Sequence, residues 1–104
     1  MYITNAFSLN MVNTDVYNIS VAPLPLEAAK KLAKECQSAV GHADTATIFS
    51  SVLGIEIPFN RVSISLGIGD CLIIGQYKGP RLPEGVKELP EGSRIDWVLI
   101  KIYR

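Results

Sequence analysis

One histidine stands in the whole chain, His42, and it follows Gly41 at the head of an apolar-periodic stretch that runs to Leu53. An imidazole there can give or take a proton near neutral pH. Further on, from Gly79 to Arg94, the chain reads G-P-R-L-P-E-G-V-K-E-L-P-E-G-S-R, with L-P-E-G at Leu82–Gly85 and again at Leu89–Gly92. Only the first copy is preceded by an arginine, Arg81; the second follows Glu88. A guanidinium fixed in a Pro/Gly loop can hold the charge of a phosphate. Each of these residues also has a bland use. A lone histidine is by default structural or solvent-exposed, a loop arginine is a solvated charge, and Glu84 can cap a turn. Asn5, Ser8 and Asn10 can be strand-end hydrogen-bonders, and Arg61 a plain surface cation. Residue type alone leaves both uses open.

Composition narrows the classes of function. The chain has 104 residues, the size of one small domain. It is 48% hydrophobic, enough for a core, but its longest apolar runs, such as Cys71–Ile74, are far below the roughly 20 residues of a spanning helix. No basic stretch followed by a long apolar run marks the N-terminus as a signal peptide. A cytoplasmic protein with no membrane partner is therefore expected. Ten Lys and Arg balance ten Asp and Glu, which argues against coating duplex DNA, where affinity comes from neutralising phosphates. A small anion held by a few focused cations remains compatible with neutrality. Cys36 and Cys71 lie far apart with no CxxC spacing, so they read as buried or half-buried thiols in a reducing compartment. One histidine and two scattered cysteines do not make a zinc site, and no metal is expected.

The elements that must position these residues follow from periodicity. Met1–Phe7 carries β-formers and reads as a first strand, and Val16–Val21 as a second that Pro23 and Pro25 break. Leu26–Gln37 is an amphipathic helix with Leu26, Ala29, Ala33 and Cys36 on one face. His42–Leu53 is a second helix with a stripe of Ile48, Phe49, Val52 and Leu53, capped by Gly54. Arg61–Leu66 alternates as a strand, Gly67–Asp70 is a hairpin-type turn, and Cys71–Tyr77 is the expected partner strand. Trp97–Tyr103 closes the chain as a strand, with Trp97 and the tyrosines in the core or an interface. The two L-P-E-G copies read as consecutive turns. The expected fold is α/β (α+β): a single small domain, with helices flanking a mixed sheet of about five strands.

Four segments, taken together and in order, carry a resemblance: Asn5–Met11 (N-A-F-S-L-N-M), Ser38–His42 (S-A-V-G-H), Asn60–Val62 (N-R-V) and Arg81–Gly85 (R-L-P-E-G). The chain resembles the type III anti-CRISPR ring nucleases of archaeal viruses, mobile elements and some bacteria, from Asn5 to the last strand. The resemblance implies a homodimer that binds cyclic tetra-adenylate across its axis. It implies metal-independent cutting to linear di-adenylates ending in 2′,3′-cyclic phosphate, which switches off type III CRISPR signalling. No cofactor is implied. By motif match, His42 is the general acid, Arg81 contacts the scissile phosphate and Glu84 orients the catalytic groups. Asn5, Ser8, Asn10 and Arg61 are ligand contacts. Gln76 corresponds to a further family glutamine, with its spacing to Arg81 changed by one residue. Pro80 and Pro83 depart from some members.

The chemistry is self-consistent without a metal. Cleavage needs a 2′-hydroxyl in line with the departing 5′-oxygen, a proton for that oxygen and cations for the phosphorane charge. His42 can supply the proton and Arg81 a cation, and a helix beginning at His42 offers free N–H groups to a phosphate. One His42 and one Arg81 per protomer give two cutting positions on a four-fold ring, which suits a two-fold interface. The rival readings are a non-catalytic protein that holds the ring uncut, as a sponge, and a viral module that binds DNA or a host protein.

Overall fold

The computed structural model describes all residues, 1–104. Five strands form one sheet: β1 (Tyr2–Thr4), β2 (Asn18–Leu24), β3 (Gln37–Ser38), β4 (Cys71–Lys78) and β5 (Arg94–Tyr103), in the order β2-β5-β4-β1-β3. Helix α1 spans Leu26–Ala33 and α2 spans Ala43–Leu53. Strand β1 runs parallel to both β3 and β4, while β5 runs antiparallel to β4 and β2. The expected mixed, five-stranded α+β sheet is what the chain forms.

Both faces of the sheet are apolar because the central strands alternate two sets of large side chains. Ile3, Ile73 and Trp97 face the helices and meet Ala29 and Ala33 of α1 and Ala46, Phe49 and Leu53 of α2. Leu72, Ile74, Ile100 and Ile102 face the other way, where Ala39, Ile64 and Leu66 lie over them. Phe49 and Trp97 pack edge to face, with ring centroids 4.8 Å apart at 61°. Gly75 makes that contact possible: a Cβ there would lie 2.6 Å from both Phe49 Cζ and Trp97 Cζ3. Gly75→Ala is therefore expected to destabilise the fold by about 1–3 kcal/mol, the usual penalty for overpacking a filled core. A denaturant midpoint equal to that of the parent protein would refute this.

Several elements differ from the sequence expectation, each for a physical reason. The first strand stops at Thr4 rather than Phe7, and Phe7 turns to pack against the second face. Helix α1 ends at Ala33 instead of Gln37, because the backbone beyond it is taken by β1. Gln37 N donates to Met1 O at 2.9 Å and Ala39 N to Ile3 O at 2.8 Å, which creates the unexpected β3. Strand β2 begins at Asn18 and runs through Pro23 to Leu24. Proline does not break it because β2 is an edge strand with one unpaired side. Strand β5 begins three residues early, at Arg94.

The largest correction concerns Arg61–Leu66, which is not a strand of the sheet. Its alternation is real, with Ile64 and Leu66 buried between exposed Ser63 and Ser65. That alternation comes from lying across the sheet's second face, and only the bridge Val12↔Leu66 pairs it to another segment. The turn at Gly67–Asp70 forms, with Asp70 N donating to Gly67 O at 3.1 Å, but β4 then enters between β1 and β5.

Candidate functional site

Strand direction gathers the candidate residues. Because β1, β3 and β4 are parallel, their carboxyl ends lie along one rim of the sheet, the place where open α/β sheets hold ligands. The last β1–β4 pair is Thr4↔Ile74. Asn5 follows it on one strand and Gly75 and Gln76 on the other. Ser38, paired with Ile3, leads through Val40 and Gly41 to His42.

A set of short polar ties fixes this rim. The Thr4 hydroxyl donates to Ala39 O at 2.9 Å and the Ser38 hydroxyl to Pro58 O at 2.6 Å. Asn60 donates through Nδ2 to Ser38 O at 2.7 Å and through its backbone N to Val40 O at 2.9 Å. Thr4 and Ser38 are buried, where unmet polar groups are costly. These ties carry Arg61 onto the strand that leads to His42. A Cβ on Gly41 would lie 3.4 Å from Arg61 Cγ, so the aliphatic stem of Arg61 covers Gly41. Asn60 stands in a matched segment but carries no assigned role; the structure gives it this structural one.

His42 is the N-cap residue of α2, with φ −131° and ψ 126°. That position normally holds a side-chain oxygen that accepts a first-turn N–H. His42 makes no such bond, so the early N–H groups of α2 keep no side-chain partner and the imidazole stays exposed. Helix starts of this kind attract phosphate oxygens.

Arg81 and Glu84 ride on the long connection from β4 to β5. Its two L-P-E-G copies are indeed turns of one kind. Val86 N donates to Pro83 O at 3.3 Å and Ser93 N to Pro90 O at 3.1 Å, with Gly85 at φ 77° and Gly92 at φ 81° in the third position. Such turns require glycine there. They differ in their surroundings: Gly85 N donates to Asp44 Oδ2 at 3.4 Å, in the first turn of α2. The arginine-bearing copy is thereby tied to the helix that begins at His42. Asp44 was not among the sequence candidates. The available signal was an acidic residue two positions after His42, a common first-turn choice with no functional meaning by itself.

Arg61, Arg81 and Glu84 are exposed and belong to neither of the two ion pairs, Lys30–Glu27 and Arg94–Asp96. Their charges are uncommitted within the protomer. Asn5 is half-buried, and Gln76 is exposed on β4 opposite Asp96. Ser8 and Asn10 lie on a short 3-10 turn past the end of β1, beyond Asn5. There the Ser8 hydroxyl accepts the Asn10 N–H at 3.3 Å, as a turn-capping residue does. Gln76 alone among the candidates lines a cavity, one of about 560 Å³ with Leu24, Val52, Leu89 and Trp97 at the β2–β5 end of the rim. His42, Arg61 and Arg81 face open surface.

Cys36 is half-buried, its Sγ donates to Leu32 O at 3.3 Å, and burial pushes its thiol pKa up, against thiolate formation. Cys36 and Cys71 are both free and partly buried, as expected. No three His, Cys, Asp or Glu side chains converge as metal ligands. No helix is long and apolar enough to cross a membrane.

Three similarities to known proteins accompany this geometry. The sequence profile of the STIV B116-like family matches residues 1–93. "Uncharacterized protein 26" of the Sulfolobus islandicus filamentous virus (isolate Iceland/Hveragerdi) is 36% identical over 101 residues, covering 93% of this chain and 85% of its own. The structure of B116 of Sulfolobus turreted icosahedral virus superposes with a TM-score of 0.82 at 23% identity, covering 96% of this chain and 97% of that one. At that identity the likeness is one of fold. Both relatives are viral proteins.

Proposed function

We propose that this chain, which belongs to the STIV B116-like family, is a metal-independent ring nuclease acting as a homodimer on cyclic tetra-adenylate. One observation carries the reading. An exposed histidine stands at a helix start without a side-chain cap, and a loop bearing an unpaired arginine and glutamate is hydrogen-bonded to the same helix turn. A structural histidine has no need of that arrangement. An acid beside a phosphate does.

The reaction is an isomerisation at phosphorus. A ribose 2′-oxygen attacks the adjacent phosphorus, the P–O5′ bond breaks, and a 2′,3′-cyclic phosphate forms. The 2′-hydroxyl proton goes to solvent, and His42 gives the proton that the departing O5′ needs. Arg81 offsets the charge of the phosphorane, and the first-turn N–H groups of α2 donate to a phosphate oxygen. Glu84, at the corner of the turn after Arg81, orients these groups. Asn5, Arg61 and Gln76 line the rim to hold ribose and phosphate, with Ser8 and Asn10 beyond them. Two cuts, one per protomer, give two linear di-adenylates.

The surface favours assembly. Leu9 is 64% exposed, Phe59 55% and Val62 44%; Leu9 lies between the candidate contacts Ser8 and Asn10, and Phe59 and Val62 flank Arg61 within two residues. Apolar side chains interleaved with ligand contacts suit an interface that borders the cavity. A second protomer would close over the open surface of His42 and Arg81. It would also bring the phosphates two copies of each arginine, which reconciles binding of a tetra-anion with zero net charge.

The test is incubation of the protein with cyclic tetra-adenylate in EDTA, with products resolved by mass. Linear di-adenylate with 2′,3′-cyclic phosphate is expected. An intact ring held tightly would make the protein a sponge, and an intact ring left unbound would end the cyclic-nucleotide reading.

A further inference from the structure

We infer that Asp44 is a positioning residue that sets the Arg81–Glu84 turn against the start of α2; the inference rests on the ring-nuclease reading and deepens it. The fifteen residues between Lys78 and Arg94 leave the β-ladder together, since β4 and β5 part after the pair Lys78↔Arg94. Most side-chain and turn hydrogen bonds of this connection stay local. Tyr77 Oη donates to Pro80 O at 2.5 Å, Val86 N to Pro83 O, and Ser93 N to Pro90 O. At its neck, Gly79 sits so close to Ser93 that a Cβ on it would be 2.5 Å from the Ser93 Cβ. Such bonds fix the two turns and the neck, but not where the first turn points.

The bond that reaches another element is Gly85 N to Asp44 Oδ2. Its geometry is set from both sides. On the donor side, Gly85 has a positive φ in the turn closed by Val86 N and Pro83 O, and that closure leaves its own N–H for Asp44. On the acceptor side, Asp44 is a half-buried residue of the first turn of α2, two positions after His42. One carboxylate thus connects the histidine's helix to the residue adjoining Glu84. The same carboxylate sits where a phosphate would approach the helix start and opposes it by charge, so recruitment of an anion does not account for an acid here. An acid in a first turn is ordinary; what sets Asp44 apart is its bond to the Arg81–Glu84 turn, which aligns two reactive groups where errors of an ångström cost large factors in rate.

The experiment compares Asp44→Ala with Asp44→Asn, which loses the charge and keeps a side-chain oxygen acceptor. Trypsin reads the loop directly, since Arg81–Leu82 lies within it and is cut only when the loop opens. Asp44→Ala is expected to raise the rate of cutting after Arg81 several-fold with little change at lysines of α1, and Asp44→Asn to stay near the parent protein. In single-turnover assays Asp44→Ala should cleave cyclic tetra-adenylate roughly ten- to a hundredfold more slowly with near-normal ring affinity, and Asp44→Asn should restore most of the rate. An unchanged Arg81 cutting rate in Asp44→Ala overturns the inference. So does an Asp44→Asn protein as loose as Asp44→Ala, which would assign the effect to charge at the helix start. Should the parent protein fail to cut the ring at all, the proposed activity falls, while the trypsin comparison still decides whether Asp44 holds the loop.

Discussion

Replacing His42 with asparagine is expected to stop ring cleavage and to make the protein more stable. Both effects follow from one position. His42 occupies the N-cap of α2 with the extended backbone that caps adopt, and supplies no cap hydrogen bond. Asparagine is among the best residues for that site, and gaining a cap is worth about 0.5–2 kcal/mol. In a domain of this size each 1 kcal/mol raises Tm by about 4–8 °C, which a thermal melt resolves easily. Asparagine cannot donate a proton as an acid does, so cleavage should fall by about 10²–10⁴-fold, the usual share of a general acid. Ring affinity should fall only in part, because Arg61 and Arg81 are untouched while the new cap takes one first-turn N–H from the phosphate. A variant that is both more stable and fully active would show that His42 is not the acid. One that is inactive and less stable would show that the imidazole has a structural duty absent from the contacts described above.

The position behind that expected exchange of stability for chemistry is legible only in part in the sequence. Gly41-His42 before an apolar stripe at helical spacing places the histidine at a helix start, and the helix forms there. Cys71–Tyr77 and Trp97–Tyr103 read as core strands because continuous apolar runs are what doubly covered strands require. Arg61–Leu66 shows the limit of periodicity. A segment that lies across a sheet has one buried and one wet side, as an edge strand has, so its alternation cannot say whether it is inside the sheet or on top of it. Gln37–Ser38 is lost for a different reason, since a two-residue strand is defined by the partner that recruits its backbone.

The site follows the same division. Asn5, His42, Gln76 and Arg81 are scattered over most of the chain, and only the parallel pairing of β1 with β3 and β4 puts their strand ends on one rim. Local sequence contains no record of strand order. It does distinguish the two L-P-E-G turns by the arginine before the first, and that difference proves to have a structural counterpart in the Asp44 bond to Gly85. The tie itself could not be read in advance, because an aspartate in a first helical turn is ordinary.

Arg81→Lys is expected to lose most of the cleavage rate although it keeps the charge. A guanidinium presents a planar fork that meets two phosphate oxygens at once, whereas an ammonium is a point charge on a flexible stem. The advantage matters most when charge builds on the phosphorane, and losing one such donor costs roughly 10²–10³-fold. Ring affinity should change far less, since electrostatic attraction remains. Near-normal turnover in Arg81→Lys would reduce Arg81 to a binding charge. The same residue also tests how two protomers of the proposed dimer would share the work. The Asp44–Gly85 bond joins the Arg81 loop to the His42 helix within one chain, so both groups should act on the same phosphate from the same protomer. Mixing Arg81→Ala dimers with His42→Asn dimers, under conditions that exchange subunits, should then restore nothing. Each site of a mixed dimer would still lack one of the two groups. If His42 of one protomer instead served the arginine of the other, every mixed dimer would contain one complete site, and activity would return in proportion to their number.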